Sequence, residues 1–162
     1  MNLSLDRREA ERLVETYSDL ILRLSYTYLK HTEDAQDICQ TVFLRLLEKP
    51  RTFAGPEHEK AWIIRTTVNA CKDLLKSHWH KTTVDLDAAS AVPAPQEEEG
   101  SLLAAVNLLP PKYRTVIYLY YYEGYRAKEI AQLLGESPAT VSTRLSRGRA
   151  QLRTQLESEG MA

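Results

Sequence analysis

The residues with the sharpest chemical character lie near the end of the sequence. Arg144, Arg147, Arg149 and Arg153 fall between positions 137 and 153 with no acidic residue among them. The stretch Tyr125 to Leu152 reads as two short helices joined by a tight turn. Ala131, Gly135 and Val141 stand where a helix-turn-helix needs a small residue, a turn glycine and an apolar anchor. The chemistry available to such residues is recognition rather than bond-making: cations neutralise phosphates, and a guanidinium grips a guanine edge with two hydrogen bonds. A second set lies between 57 and 77, where Trp62, Arg65, Asn69, Lys72 and Lys76 share one side of a helix. An aromatic ring, an amide and cations in one stripe suit unpaired bases, through stacking, edge hydrogen bonds and charge neutralisation.

The helix that must position the arginines starts at Ser137, a good N-cap, with Pro138 at the first helical position. At 100° per residue, Val141, Leu145, Gly148 and Leu152 form an inward face. Ala139, Thr143, Ser146 and Ala150 lie opposite, flanked by Ser142 and Arg147. Small and polar groups there permit close approach to a groove floor, and Arg147 is the expected base reader. Arg144 and Arg149 border the packed face and are expected on phosphates, or paired with Glu129 or Glu157. Thr140 and Lys128 are further phosphate candidates. Glycine is a poor helix former, so Gly148 implies a close helix–helix contact. Together with the helix that precedes them, these two helices could instead form a unit that binds another protein.

Upstream, Leu13, Tyr17, Leu20, Ile21, Leu24 and Tyr28 recur at helical spacing within 5–29. Thr32 is placed to cap a second helix carrying Ala35, Ile38, Val42, Leu46 and Leu47 up to Pro50, and a third helix runs from about Glu57 to Ser77 with Ala61, Ile64, Val68 and Leu75 inward. Residues 82–100 hold Asp85, Asp87, Glu97, Glu98 and Glu99, two prolines and no base, and read as a flexible acidic linker. Beyond it Leu102, Leu103, Val106 and Leu109 form one apolar face, Pro110 and Pro111 break it, and Tyr113 to Tyr122 forms a helix ended by Gly124. The expected fold is all-α: a helical domain over 1–81, the linker, and a helix-turn-helix domain over 101–162. The overall net charge of −1 thus conceals a segregation, since Lys60, Arg65, Lys72, Lys76 and Lys81 face only Asp73. Two anion-binding surfaces joined by an acidic tether account for it.

The order of these segments resembles the bacterial RNA polymerase sigma factors of the extracytoplasmic-function group. The resemblance rests on DAQDICQTVFLRLL (34–47), Phe53, AWIIRTTVNACKDLL (61–75), LPPKYRTVIYLYYYEGY (109–125), EIAQLLG and SPATVSTRLSRGRAQL, and covers almost the whole length. It implies that Asp34, Asp37, Gln40 and Phe43 grip the coiled coil of the largest polymerase subunit. It implies that the Phe53 loop and Asn69 capture a flipped base of the −10 element, with Trp62, Arg65, Lys72 and Lys76 along the strand. Ser142, Thr143, Ser146 and Arg147 then face the −35 duplex, with Thr140, Arg144, Arg149 and Lys128 around them. Core RNA polymerase and promoter DNA are the implied partners, and an anti-sigma factor a further one. Two departures stand out: Ser142 where a base is common, and Gly148 where alanine is usual.

Other classes are disfavoured. There are no paired catalytic carboxylates, no nucleophile–base arrangement and no phosphate-binding glycine loop, so no enzyme is expected. Cys71, His78 and His80 lack a fourth ligand at a usual spacing, so no metal or other cofactor is expected. Cys39 and Cys71 are too few and too far apart for a disulfide framework and fit a reducing cytosol. No apolar run reaches the ~20 residues of a membrane span, and the mixed charges of 6–11 do not suit a signal peptide. The rivals are a stand-alone helix-turn-helix regulator and a transcription adaptor that does not bind DNA.

Overall fold

The computed structural model describes residues 7–48, 52–81 and 102–158, with side chains as far as 77 in the middle segment. Every regular element among them is an α-helix: α1 (Arg7–Leu29), α2 (Thr32–Glu48), α3 (Pro56–Lys81), α4 (Leu102–Asn107), α5 (Pro111–Tyr121), α6 (Ala127–Leu134) and α7 (Pro138–Ser158). The acidic stretch 82–100 and the side chains of His78 and His80 lie outside the described residues. The chain forms two compact units, Met1–Pro93 and Ala94–Ala162.

In the first unit α1 packs on both α2 and α3, which also touch each other. The apolar spacing of α1 does what it predicts: Leu13, Tyr17, Leu20, Ile21 and Leu24 are buried. The chain leaves α1 through Lys30, which takes a left-handed φ of 48° so that its N–H still reaches the Tyr26 carbonyl at 2.9 Å. That conformation costs a non-glycine residue about 1 kcal/mol, and the packing it permits must offset it. The connection is so short that α2 has to run back along α1. The cap of α2 differs from expectation. Thr32 is already helical, and the Nδ1 of His31 accepts the Asp34 N–H at 3.2 Å. Ala35, Ile38, Val42 and Leu46 of α2 meet Ile63, Ile64, Val68 and Cys71 of α3 in the core. Burial pushes the Cys71 thiol up to about 12, against a smaller opposing effect of Ser25, and raises that of Cys39 as well. Both cysteines are free thiols. Among the described side chains of α3 the last buried one is Cys71, and Leu75, expected inward, lies beyond it at 41 % exposure.

An ionic clasp fixes the start of α3 on α1. Arg12 donates to both carboxylate oxygens of Glu59, at 3.2 and 2.8 Å, and the Tyr17 hydroxyl donates to the same carboxylate at 2.7 Å. The hydrogen bond from Arg12, opposed by burial and reinforced by Tyr17, holds the Glu59 carboxyl below its usual range.

In the second unit α5 is the hub, buried from Tyr113 through Leu119, with α4, α6 and α7 around it. Its start is dictated by sequence: Pro110 precedes it in an extended conformation and Pro111 opens the first turn. The buried Arg114 turns its charge on the end of α4, donating from Nη1 to the Leu109 carbonyl at 3.1 Å. Leu103, Val106 and Leu109 are buried as expected, whereas Leu102, in the first turn of α4, is 40 % exposed. Tyr118 is buried and its hydroxyl donates to Glu123 at 2.6 Å, while Tyr121 and Tyr122 reach the surface. Gly124 and Gly135 both adopt positive φ, 76° and 68°, at the ends of α5 and α6.

The clasp yields a signed prediction. A carboxyl whose folded value is depressed stabilises above its unfolded value, near 4.3, and loses that contribution as pH falls through the folded value. Glu59→Gln should therefore cost about 1 kcal/mol at neutral pH. The gap from the parent chain should close below about pH 4. Urea unfolding over a pH series measures it, and a gap that stays constant into acid rejects the clasp.

Candidate nucleic-acid interface

The turn before α7 is built as the sequence requires. Ala131 is buried at 3 % exposure, Gly135 supplies the left-handed turn, and the Glu136 N–H closes it on the Ala131 carbonyl at 2.9 Å. Ser137 caps α7: its Oγ accepts the Thr140 N–H at 3.1 Å, and its hydroxyl donates to Thr140 Oγ1 at 2.8 Å. Val141, Leu145, Gly148 and Leu152 face inward. Ala139, Ser142, Thr143, Ser146, Arg147 and Ala150 are all exposed, so α7 offers solvent a strip of short side chains with one long cation on its flank.

The cations of α7 have different surroundings. Arg147 lines a shallow concavity of about 310 Å³ together with Lys112, Tyr113, Ala139, Thr140, Thr143 and Arg144. Arg144 also lies 3.4 Å from Glu136, not beside Glu129 or Glu157. The Glu129 carboxylate instead accepts the Arg126 N–H at 2.9 Å and closes the start of α6. Arg149 lies on the other flank of α7. Its Nε donates to the Tyr121 hydroxyl at 2.8 Å and its guanidinium carbon sits 4.8 Å from the Tyr120 ring centroid. Lys128 is exposed on α6. Lys112 is the cation that sequence reasoning missed. It occupies the first turn of α5, where the helix dipole disfavours positive charge. A lysine in so poor a local position, just after a proline pair that fixes the helix start, is the signal that could have found it.

On the first unit, Arg65, Asn69 and Lys76 are exposed on α3 and Trp62 and Lys72 half-buried, in one stripe opposite Ile63, Ile64, Thr67 and Val68. Phe53, half-buried, packs at the head of this stripe, its ring centroid 6.0 Å from Trp62 and 5.4 Å from His58. The structure thus brings Phe53 to Trp62, and Arg65 and Asn69 follow at successive turns. On α2, Asp37 and Gln40 are exposed, and Asp34 is half-buried beside His31. Phe43, also half-buried, lines an apolar groove of about 700 Å³ with Val14, Leu22, Cys39, Leu44 and Leu47. No group of acids, histidines and cysteines among the described residues could hold a metal. No helix among them is long and apolar enough to cross a membrane.

These two surfaces coincide with two family models. Residues 13–81, hence nearly all of α1 to α3, match sigma-70 region 2, and residues 99–152, hence α4 to most of α7, match sigma-70 region 4. The chain is 31 % identical to the RNA polymerase sigma factor SigV of Bacillus subtilis, over 86 % of this chain and 86 % of that one. It is 30 % identical to the extracytoplasmic-function sigma factor SigW of the same organism, over 89 % and 87 %. The chain belongs to the extracytoplasmic-function sigma factors. A probable sigma factor, RfaY, of Xanthomonas campestris is 33 % identical over 90 % of this chain, which spans 40 % of that relative's length. Among solved structures, the sigma factor RpoE of Bartonella quintana, in complex with the anti-sigma factor NepR, superposes with a TM-score of 0.73 at 18 % identity, covering 93 % of this chain and 98 % of that one. CnrH, in complex with the cytosolic domain of CnrY, gives 0.58 at 21 %, covering 94 % and 90 %. Both share the fold. Sigma factors are transcription initiation factors that direct RNA polymerase to promoters. A region 2 match running through α1 to α3 sets aside the stand-alone regulator and the adaptor.

In this sigma factor Gly148 decides how closely α7 lies on α5. A Cβ added there would stand 2.9 Å from Cγ1 of Ile117 and 3.3 Å from Cβ of Tyr113, both close to the backbone of a buried helix. Gly148→Val should therefore lift α7 off its seat and cost about 2–3 kcal/mol. Urea unfolding followed by circular dichroism measures this, and a loss under about 0.5 kcal/mol would show that the contact yields.

Proposed function

We propose that this sigma factor binds core RNA polymerase through Asp34, Asp37, Gln40 and Phe43, reads −35 duplex with α7, and holds the opened −10 strand along α3, all in the cytoplasm and without covalent chemistry. Units of 1–81 and 101–162, tethered by 82–100, would carry these tasks. The observation behind this reading is the division of labour on α7: one face wholly apolar and buried, the other, from Ala139 to Ala150, built of small and polar residues with no acid. A helix with that second face reaches a groove floor without steric or electrostatic penalty. Arg147 would read a base at the edge of the strip. Thr140, Arg144 and Lys112 would meet phosphates around the same concavity, with Thr143 and Ser146 on the floor beside Ser142. Arg149, held by two tyrosines, has least to offer a phosphate, and Lys128 is a peripheral one.

On the first unit, Asn69 would read the edge of an extruded base, with the Phe53–Trp62 pair as its apolar wall and Arg65, Lys72 and Lys76 on the backbone. Beside Gln40 and Phe43 the exposed Val14, Leu44 and Leu47 leave an apolar face uncovered. An anti-sigma factor that covered it would compete with polymerase. The complex of RpoE with the anti-sigma factor NepR gives that partner class its precedent.

Reconstitution with core polymerase, followed by genome-wide mapping of start sites, tests the reading. Co-elution and a shared promoter motif are expected. Failure of both to appear rejects it. On a promoter so found, Arg147→Ala should lose about 1–3 kcal/mol of discrimination at one position of the −35 element. Lys112→Ala should instead weaken all sequences alike and lower the salt slope by about 1. Exchanged phenotypes, measured by equilibrium binding across a salt series, would reverse the two roles.

A further inference from the structure

The loop that carries Phe53 is tied to α3 by a residue that neither the motif nor the fold required. Gly55 is the cap of α3: its carbonyl accepts the Glu59 N–H at 3.0 Å, and Pro56 opens the helix. His58 therefore stands at the third helical position. A side chain there commonly reaches back to the amide of the cap residue. The His58 imidazole reaches one residue further, and its Nδ1 accepts the Ala54 N–H at 3.0 Å. The same ring meets Phe53 edge-on, 5.4 Å between centroids and 85° between planes. Phe53 in turn leans on Trp62, one turn further along α3. His58 thus contacts the loop twice, once through its backbone and once through the aromatic side chain at its tip. The ring has a firm base, because its neighbour Glu59 is clamped to Arg12 and Tyr17 of α1.

We propose that His58 is a positioning residue that holds the 52–55 loop, and Phe53 with it, in the shape that receives the opened DNA strand. The proposal rests on the reading of α3 as the strand reader. A loop left to sample many shapes must be ordered when the strand binds, and that ordering reduces affinity. An acceptor fixed at the Ala54 amide removes part of that cost beforehand. His58 is exposed, so replacing it should leave the core intact.

The chemistry separates the acceptor from mere bulk. Asparagine places a carbonyl oxygen near the position of Nδ1, and glutamine places one near Nε2. His58→Ala and His58→Gln should each weaken strand binding about fivefold, the effect of one ordinary hydrogen bond, and His58→Asn should stay within about twofold of the parent. The measurement uses holoenzyme assembled with core polymerase and a non-template-strand oligonucleotide spanning the −10 element of a mapped promoter. Amide exchange at Ala54 is followed in parallel and should quicken in the alanine and glutamine variants alone. Equal behaviour of the asparagine and glutamine variants in both assays overturns the acceptor role. Altered exchange with unchanged strand affinity, while Asn69→Ala still weakens binding, overturns the positioning role. If Asn69→Ala and Trp62→Ala both leave strand affinity unchanged, the strand-reading of α3 falls and this role with it, an outcome recognisable because the Ala54 exchange pattern would survive.

Discussion

The closeness of α7 to α5 is the constraint on which the DNA-facing unit depends. α5 is buried from Tyr113 to Leu119, so three helices must surround it. α7 touches it where Gly148 has no side chain and the Ile117 side chain takes the space. Once that contact is made, the 100° step fixes which residues of α7 face out. Val141 and Leu145 on one side of Gly148 and Leu152 on the other hold the roll of the helix, and the strip from Ala139 to Ala150 follows from it. A recognition surface of short side chains has little means of correcting its own position. It needs a scaffold that places the backbone, and the glycine contact supplies one.

The first unit solves a related problem with charge. α3 must bury Ile63, Ile64 and Val68 and still present Arg65, Asn69 and Lys76 on the other side. Apolar packing sets its roll but is indifferent to small slides along the axis. The Arg12–Glu59–Tyr17 clasp is directional, because a guanidinium donating to two oxygens of one carboxylate tolerates little displacement. Its net contribution to stability is small, since Arg12 is 44 % exposed. Its value lies in register: it fixes where α3 starts, and so where the loop bearing Phe53 leaves it.

Much of this was legible in the sequence because it is local. The cap at Ser137, the turn at Gly135 and the inward set Val141, Leu145, Gly148 and Leu152 depend on residues within a turn or two of one another. So does the start of α5 at the proline pair. The departures are non-local or sit at ends. Leu75 and Leu102 keep the helical period, but periodicity does not reveal where a partner helix stops. His31 replaced Thr32 as the cap because helix ends shift by a residue with little change in pattern. Lys112 joins Arg147 only through the packing of α5 on α7, which no spacing within one helix encodes.

The same limit explains the arginines of α7. In the sequence Arg144, Arg147 and Arg149 are equivalent cations in a stretch, 137–153, that holds no acid. In the folded unit one lies near Glu136, one borders the concavity with Lys112, and one is spread over Tyr120 and Tyr121. Formal charge does not measure what each can give a phosphate, because a cation already engaged must give up its partner first. Arg144 has only a 3.4 Å contact to relinquish. Arg149 would lose a 2.8 Å hydrogen bond and an aromatic face at once. Lys112 has an aromatic face alone to leave, its Nζ 5.1 Å from the Tyr113 ring centroid, so attraction for a polyanion is greater on the Arg147–Lys112 flank, and α7 has a polarity across its width that its composition does not express. Ala139 and Thr140, in the first turn of α7, line the same concavity, so the positive end of the helix dipole adds to the charge of that flank.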